Sequence, residues 1–97
     1  MIYTIEEIKK RAIPIAKKHS IKSLGLFGSY ARNEQNEKSD LDFLVDTNNK
    51  MGLFEYVDFY QELEKAFNCH VDVVTSGIED KEFLKTIEKD KKLLYEQ

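Results

Sequence analysis

The chain has 97 residues, of which 41% are hydrophobic and 34% charged, and its formal net charge is −3. This composition predicts one globular domain over residues 1–97 and excludes a disordered chain, which would contain less apolar sequence. The acidic net charge makes direct nucleic-acid binding improbable, because that binding depends on clustered cations. One cysteine excludes an internal disulfide, and the apolar stretches are too short to span a membrane. We therefore expect a protein of the reducing cytoplasm with no membrane partner.

The first predicted element is a helix that begins with a capping box. Thr4 provides the N-cap and Glu7 stands three residues later. Apolar residues then follow at helical spacing to about His19. Pro14 lies inside this segment, and we expect it to kink the helix rather than end it, because the pattern continues beyond it.

Short strands and further helices are predicted after the first helix. The order is strand, one or two helical turns, polar loop, strand, helix, strand and helix, over residues 21–27, 29–33, 34–39, 41–45, 53–67, 70–74 and 80–89. The stripe that faces inward from the helix at 53–67 is predicted to be Leu53, Val57, Tyr60, Leu63 and Phe67. The type of the piece at residues 93–95 stays open. This order predicts an α/β (α+β) fold with a small mixed sheet and flanking helices.

Gly28 and Ser29 lie between the first predicted strand and a predicted helical start. Backbone N–H groups and a hydroxyl at a helix N-terminus favour an anion such as phosphate. An isolated Gly-Ser pair is more often only a turn, so this feature alone is weak evidence.

Three aspartates lie at positions where a sheet could bring them together. Asp40 and Asp42 are two residues apart at the start of a strand, so they point to one face. Asp72 lies inside the apolar strand at 70–74, where an unpaired carboxylate would be costly. If the two strands are neighbours, the three carboxylates share one cleft and could hold two Mg²⁺ ions. Taken alone, Asp40 and Asp42 are more often a turn residue and a solvated strand residue, and Asp72 is about as often an edge-strand residue that faces water.

The segments Gly28–Arg32 (Gly-Ser-Tyr-Ala-Arg) and Ser39–Asp42 (Ser-Asp-Leu-Asp), followed by Asp72, together resemble the minimal nucleotidyltransferases of the DNA polymerase beta superfamily. The resemblance extends over nearly the whole chain. It implies the polymerase-beta-like nucleotidyltransferase fold and transfer of a nucleoside monophosphate to a hydroxyl, with release of pyrophosphate. It also implies ATP as substrate and two Mg²⁺ ions as cofactors.

The same resemblance implies roles for individual residues. Asp40 and Asp42 would ligate both metal ions, and Asp72 would ligate the catalytic ion and help to deprotonate the attacking hydroxyl. The residues assigned to the nucleotide are Gly28, Ser29, Arg32 and Ser39. Arg32 has an alternative role as a scaffold that pairs with a carboxylate.

One position departs from the family pattern, because Asn33 replaces the glycine that follows the arginine. Asparagine tolerates a positive φ better than most residues, so we expect a left-handed or turn conformation there. If the family glycine instead allows close approach of the nucleotide, Asn33 would weaken binding.

Two other pairs of residues have simpler interpretations than catalysis. The adjacent Cys69 and His70 lack metal-ligand spacing, and Cys69 is predicted to be a small core residue. Phe54 lies off the inward stripe of its helix and Phe59 at the edge of that stripe, so both are candidate partner contacts. Packing of these two residues under a loop is the alternative.

Short chains of this family resemble the antitoxin half of a two-protein module with a helical HEPN ribonuclease toxin. The resemblance therefore implies transfer of AMP to that partner, most plausibly to a tyrosine. The alternative is a catalytically weak or inactive module that neutralises its partner by contact alone. Homo-oligomer formation is compatible with either alternative.

Overall fold

The computed structural model describes residues 3–47, 51–75 and 81–97. These residues form three α-helices and four β-strands: α1 (Ile5–Lys18), β1 (Ser23–Phe27), β2 (Leu41–Asp46), α2 (Leu53–Phe67), β3 (Val71–Thr75), α3 (Lys81–Asp90) and β4 (Lys92–Glu96). The predicted strands and long helices are confirmed, and the open C-terminal piece is a strand. The predicted start of the last helix at residue 80 lies outside the described residues.

The four strands form one mixed sheet in the order β3-β2-β1-β4. β1 pairs antiparallel with β2 and with β4, whereas β2 and β3 are parallel. The parallel pair requires a crossover connection. Helix α2 provides it by returning the chain to the end of the sheet at which β2 begins. The predicted small mixed sheet with flanking helices is therefore confirmed.

Helix α1 begins at the predicted capping box. The Thr4 hydroxyl oxygen accepts a hydrogen bond from the Glu7 N–H at 3.1 Å, and the Glu7 carboxylate accepts one from the Thr4 N–H at 3.1 Å. The helix continues through Pro14 to Lys18, so the proline does not end it. Its buried face consists of Ile8, Ala12 and Ala16.

The buried face of α2 differs from the predicted stripe. Phe59, Leu63 and Phe67 are buried, whereas Leu53 is 74% exposed and Val57 is 42% exposed. The three buried residues are spaced by four and span about 80° of the helix circumference. Val57 lies about 120° from the centre of that arc, which explains its exposure. The prediction that Leu53 and Val57 face the core is wrong, as is the placement of Phe59 at the edge.

The segment after β1 is a turn and not the predicted helical start. The Arg32 N–H donates to the Gly28 carbonyl at 3.1 Å, and the Glu34 N–H donates to the Ser29 carbonyl at 2.8 Å. Gly28 has φ +77° and Asn33 has φ +59°, and left-handed residues at both ends prevent a helix from continuing. The left-handed conformation predicted at Asn33 is confirmed.

Cys69 is exposed, so the prediction that it is a core residue is wrong. It lies in the connection between α2 and β3, two positions before the first residue of β3.

Among the described residues, no helix combines the length and the apolar character needed to cross a bilayer.

Candidate active site

Strand register brings the three predicted aspartates together where the parallel strands β2 and β3 begin. The Cα atoms of Asp42 on β2 and Asp72 on β3 are direct partners in the parallel pair. Their side chains therefore point to the same face. Asp40 precedes Asp42 by two residues, and its carboxylate lies within 4.8 Å of the Asp72 carboxylate. The metal-binding and catalytic roles of these residues remain predictions.

The carboxyl group of Asp42 is the electrostatically strained member of this group. Burial raises its pKa to about 6, and the hydrogen bond and charge of Asp72 and the charge of Asp40 act in the same direction. The Arg32 guanidinium opposes this shift. The Asp42 carboxyl therefore holds its proton to about that pH, and above it the ionised Asp42 carboxylate is repelled by the charges of Asp72 and Asp40. A divalent cation would relieve this repulsion.

His70 joins the aspartates, although its sequence spacing gave no metal pattern. Its Nε2 atom lies 3.2 Å from Asp72 Oδ1, and it forms with Asp40 and Asp72 a group whose ligand atoms lie within 4.8 Å of one another. The available signal was alternation, because His70 precedes Asp72 by two residues, as Asp40 precedes Asp42. In extended chains such pairs point to one face.

Gly28 lies against the Asp42 side chain at the end of β1. Phe27 is the register partner of Asp42, so Gly28 directly follows that pair. A Cβ atom placed at Gly28 would fall 2.2 Å from Asp42 Oδ2, so position 28 accepts no side chain without displacing the carboxylate. The turn leaves no helix N-terminus at Ser29, so the helix-dipole argument for an anion site there is wrong. The nucleotide contacts of Gly28 and Ser29 remain predictions.

Arg32 adopts the geometry of the scaffold alternative. Its Nε atom lies 3.3 Å from Glu34 Oε2, and its Nη1 atom lies 3.7 Å from Asp90 Oδ2. Through Asp90, at the end of α3, it ties the turn after β1 to the last helix. These contacts leave its assignment to the nucleotide as a prediction.

Ser39 organises the loop that precedes Asp40. Its hydroxyl oxygen accepts a hydrogen bond from the Asn36 N–H at 2.8 Å, and its own N–H donates to the Asn36 carbonyl at 3.0 Å. This reciprocal pair fixes the backbone immediately before the acidic group. The contact of Ser39 with nucleotide remains a prediction.

The donor set fits a hard divalent cation. Carboxylate oxygens are the ligands that Mg²⁺ prefers, and Asp40 and Asp72 are exposed while Asp42 is half-buried. Burial is the main cause of the raised pKa of Asp42, and the charges of Asp72 and Asp40 add to it, so a cation placed among these carboxylates would offset their repulsion.

Comparison with known proteins gives relatives of similar length. A candidate protein adenylyltransferase of Methanocaldococcus jannaschii is 42% identical over 90 residues, covering 89% of this chain and 90% of the relative. The protein adenylyltransferase MntA of Thermococcus cleftensis is 32% identical over 75 residues, covering 73% of this chain and 76% of the relative.

Solved structures share the fold at low sequence identity. A toxin–antitoxin complex crystallised with AMP-PNP contains a chain with a TM-score of 0.79 and 21% identity, over 92% of this chain and 73% of that one. A complex of tri-AMPylated Shewanella oneidensis HEPN toxin with its MNT antitoxin contains a chain with a TM-score of 0.75 and 18% identity, over 97% of this chain and 74% of that one.

The sequence profile of the family "Polymerase beta, Nucleotidyltransferase" matches residues 10–97. That match extends over the strands and turns that carry all of the predicted site residues, and the mixed sheet with its flanking helices is the fold of that family. The chain therefore belongs to the polymerase beta nucleotidyltransferase family.

Proposed function

We propose that this protein transfers AMP from ATP to a hydroxyl of a HEPN-type toxin and thereby acts as its antitoxin. The observation that carries the proposal is the convergence of Asp40, Asp42 and Asp72, with Asp42 and Asp72 direct partners across β2 and β3. The names of relatives at 42% and 32% identity support protein adenylylation as the reaction.

Two Mg²⁺ ions, held by Asp40, Asp42 and Asp72, would supply positive charge that offsets the charge of the reacting phosphates. Asp40 and Asp42 would contact both ions and Asp72 one of them. Without this counter-charge, the Asp42 carboxyl keeps its proton to about pH 6 because of burial and of Asp72. A bound cation would favour the ionised form of Asp42 and so keep the three aspartates fully charged to a lower pH.

The reaction forms one bond and breaks one bond at the α-phosphorus of ATP. The acceptor hydroxyl oxygen bonds to that phosphorus, the bond to the oxygen that bridges to the β-phosphate breaks, and pyrophosphate leaves. The hydroxyl proton passes to the carboxylate of Asp72, which is exposed and can release it to water. The enzyme contributes mainly position and charge, as is usual for phosphoryl-group chemistry.

The turn after β1 would receive the triphosphate. Gly28 has no side chain beside Asp42, so the backbone of residues 28–29 can approach both the carboxylate and a phosphate. The half-buried Ser29 would contribute its hydroxyl. Ser39 and Arg32 would act from the rim, where Ser39 holds the loop backbone at Asn36 and Arg32 pairs with the Glu34 carboxylate.

The acceptor hydroxyl would be brought to Asp72 by a folded partner. The solved complexes of related fold contain toxin partners, one of them a tri-AMPylated HEPN toxin. Tyrosine is the acceptor that we propose, since its phenolic oxygen can extend from a partner surface to the aspartates.

The partner contact proposed at Phe54 fits its 86% exposure, and Leu53 beside it is also exposed. Phe59 is fully buried in the core, so the prediction that it contacts a partner is wrong. Phe54 lies at the start of α2, and Phe67 lies 13 residues later at its end, from which the chain continues to β3 and Asp72. About 20 Å of helix therefore separates Phe54 from the end of α2 that leads to the acidic site. A partner that reaches both Phe54 and the acidic site must therefore be an extended folded surface.

Asn33 is the residue that favours the alternative of a binding module. That residue has φ +59°, the left-handed geometry that a glycine would provide, so its presence is compatible with an intact turn. We further propose that residues 1–97 act as one nucleotidyltransferase unit in the cytoplasm, where the single cysteine stays reduced.

The test is to incubate the chain with a cognate HEPN-type toxin, ATP and Mg²⁺ and to measure the intact mass of both proteins. The proposal predicts an added AMP on the toxin that is absent with Asp42→Asn. Silencing of the toxin by stoichiometric binding, without a change of mass, would favour the binding module.

A further inference from the structure

The pairing of β2 and β3 continues one residue beyond the strands and aligns Asp40 with His70. Leu41 and Val71 are register partners, and the Leu41 N–H donates to the His70 carbonyl at 3.4 Å. The site is therefore a two-by-two array, with Asp40 and Asp42 from one strand facing His70 and Asp72 from the next. Three of its members are carboxylates and the fourth is an imidazole.

The separation of His70 and Asp72 matches that of two neighbouring ligands on one metal ion. Adjacent ligands of an octahedral ion with bonds of about 2.1 Å lie about 3.0 Å apart, and the His70 Nε2 to Asp72 Oδ1 distance is 3.2 Å. The ligand atoms of the group lie within 4.8 Å of one another, slightly more than the ~4.2 Å between opposite ligands of such an ion. The side chains of His70 and Asp72 are 55% and 52% exposed, so small rotations can close the difference.

We propose that His70 adds an imidazole nitrogen to this cation site and makes it favour a divalent transition-metal ion, for which Mn²⁺ is the probe, over Mg²⁺. The inference rests on the proposed function, which assigns the cation to the aspartates. Imidazole is a common ligand of transition metals, whereas Mg²⁺ strongly prefers oxygen and keeps much of its water. A mixed nitrogen and oxygen set therefore stabilises the transition ion more than the all-carboxylate set of the family pattern would.

The chain allows the nitrogen to be assigned, because it contains only two histidines. The other one, His19, has a side chain that is 8% exposed, and its ring nitrogens lie 3.3 Å from Glu55 and 3.0 Å from Glu62. It follows α1 and precedes β1, whereas Gly28 and the acidic array lie at the other end of β1. An imidazole signal from Mn²⁺ at the array must therefore come from His70.

The experiment titrates Mn²⁺ into the purified chain at about pH 8, because metal binding generally requires neutral imidazole. Free Mn²⁺ is measured by its solution EPR signal, directly bonded ¹⁴N by electron spin-echo modulation, and Mg²⁺ affinity by competition. Wild type is compared with His70→Gln, with His19→Gln as the matched control and with Asp42→Asn. Far-UV circular dichroism checks that each variant is folded.

We expect ¹⁴N coupling in wild type and in His19→Gln, and its loss in His70→Gln. The Mn²⁺ Kd of His70→Gln should rise about tenfold or more, while its Mg²⁺ Kd should change less than about threefold. Absent coupling in wild type, or equal Mn²⁺ Kd values for wild type and His70→Gln, overturns the inference and leaves His70 as a hydrogen-bond partner of Asp72. Unchanged affinity for both ions in Asp42→Asn, or no binding of either ion, would instead overturn the assignment of the cation to the aspartates.

Discussion

Gly28 lies so close to Asp42 that a Cβ atom at position 28 would fall 2.2 Å from Oδ2 of that carboxylate. The contact joins the end of β1 to the start of β2, because Phe27 and Asp42 are register partners. The position of the half-buried Asp42 carboxylate therefore depends on the shape of the turn after β1. The glycine of the motif is thereby explained by two requirements, a positive φ of +77° and the space beside Asp42.

Gly28→Ala should therefore damage both the fold and the site. A left-handed non-glycine residue costs about 1–3 kcal/mol, and the methyl group must also displace Asp42. We expect a fall in Tm and loss of Mg²⁺-dependent stabilisation, both measured by thermal unfolding. Gly52→Ala is the matched control, because a Cβ atom there meets nothing within 4 Å. Equal behaviour of the two variants would contradict the role given to the turn.

Asp42→Asn should raise the stability of the metal-free protein at neutral pH. Asp42 has a pKa of about 6 in the folded chain against an ordinary value of 3.8. Its contribution to stability is therefore fully present below about pH 3.8 and is lost as pH rises through about 6. The difference in Tm between Asp42→Asn and wild type should grow from pH 5 to pH 8, by several degrees for each ~1 kcal/mol.

Mg²⁺ should raise the Tm of wild type more at pH 8 than at pH 5, since protons compete with the cation for Asp42. Asp42→Asn should lose most of this response. Asp46→Asn, at the other end of β2, controls for removal of a carboxylate from the same strand. If the increase in Tm that Mg²⁺ produces in wild type were the same at pH 5 and pH 8, the electrostatic explanation of the site would be wrong.

Asn33→Gly should leave stability and nucleotide binding unchanged or slightly improved, because φ at this position is +59°. Asn33→Val should lower both, since a β-branched residue resists a positive φ by about 1–2 kcal/mol. ATP affinity and Tm are the two measurements. Ser20→Val is the control for backbone strain away from the site, because Ser20 has a similar φ of +56° but lies before β1 and not after it. If Ser20→Val weakens ATP binding as much as Asn33→Val, the effect is one of general stability.

Phe54→Ser should reduce AMP transfer to the partner and leave Tm and ATP binding unchanged, because its side chain is 86% exposed. Leu93→Ser should leave transfer unchanged. Leu93 is 49% exposed and lies on β4, at the opposite edge of the sheet from β3. Phe59→Ala should behave differently and destabilise the fold by about 3–5 kcal/mol, as is usual for a buried phenylalanine. Equal transfer by Phe54→Ser and wild type would exclude Phe54 as a contact.

Local patterns predicted the parts of the fold that depend on neighbouring residues. The capping box of Thr4 and Glu7 and the strand with Asp72 follow from side-chain type and spacing. The buried face of α2 was predicted less well, because a long apolar helix offers more than one stripe. Which stripe is buried depends on the elements that pack on it, and here that choice placed Phe59 in the core.

The candidate site was predictable as far as the resemblance and the strand alternation extended. Asp40, Asp42 and Asp72 could be named from their spacing, but their proximity depends on β2 and β3 being parallel neighbours. Spacing along the chain does not indicate His70 as a metal ligand, because His70 meets Asp40 and Asp72 only across the paired strands β2 and β3. The pKa of Asp42 could not be predicted either, since it depends on burial and on the distance to Asp72.

AMP transfer is tested most directly by the intact mass of a cognate HEPN-type toxin after incubation with this chain, ATP and Mg²⁺. We expect the toxin to gain the mass of one or more AMP groups and to lose its ribonuclease activity, and we expect neither change with Asp42→Asn. A toxin that is silenced with its mass unchanged, or a wild-type level of transfer by Asp42→Asn, would show that the aspartates do not catalyse AMP transfer.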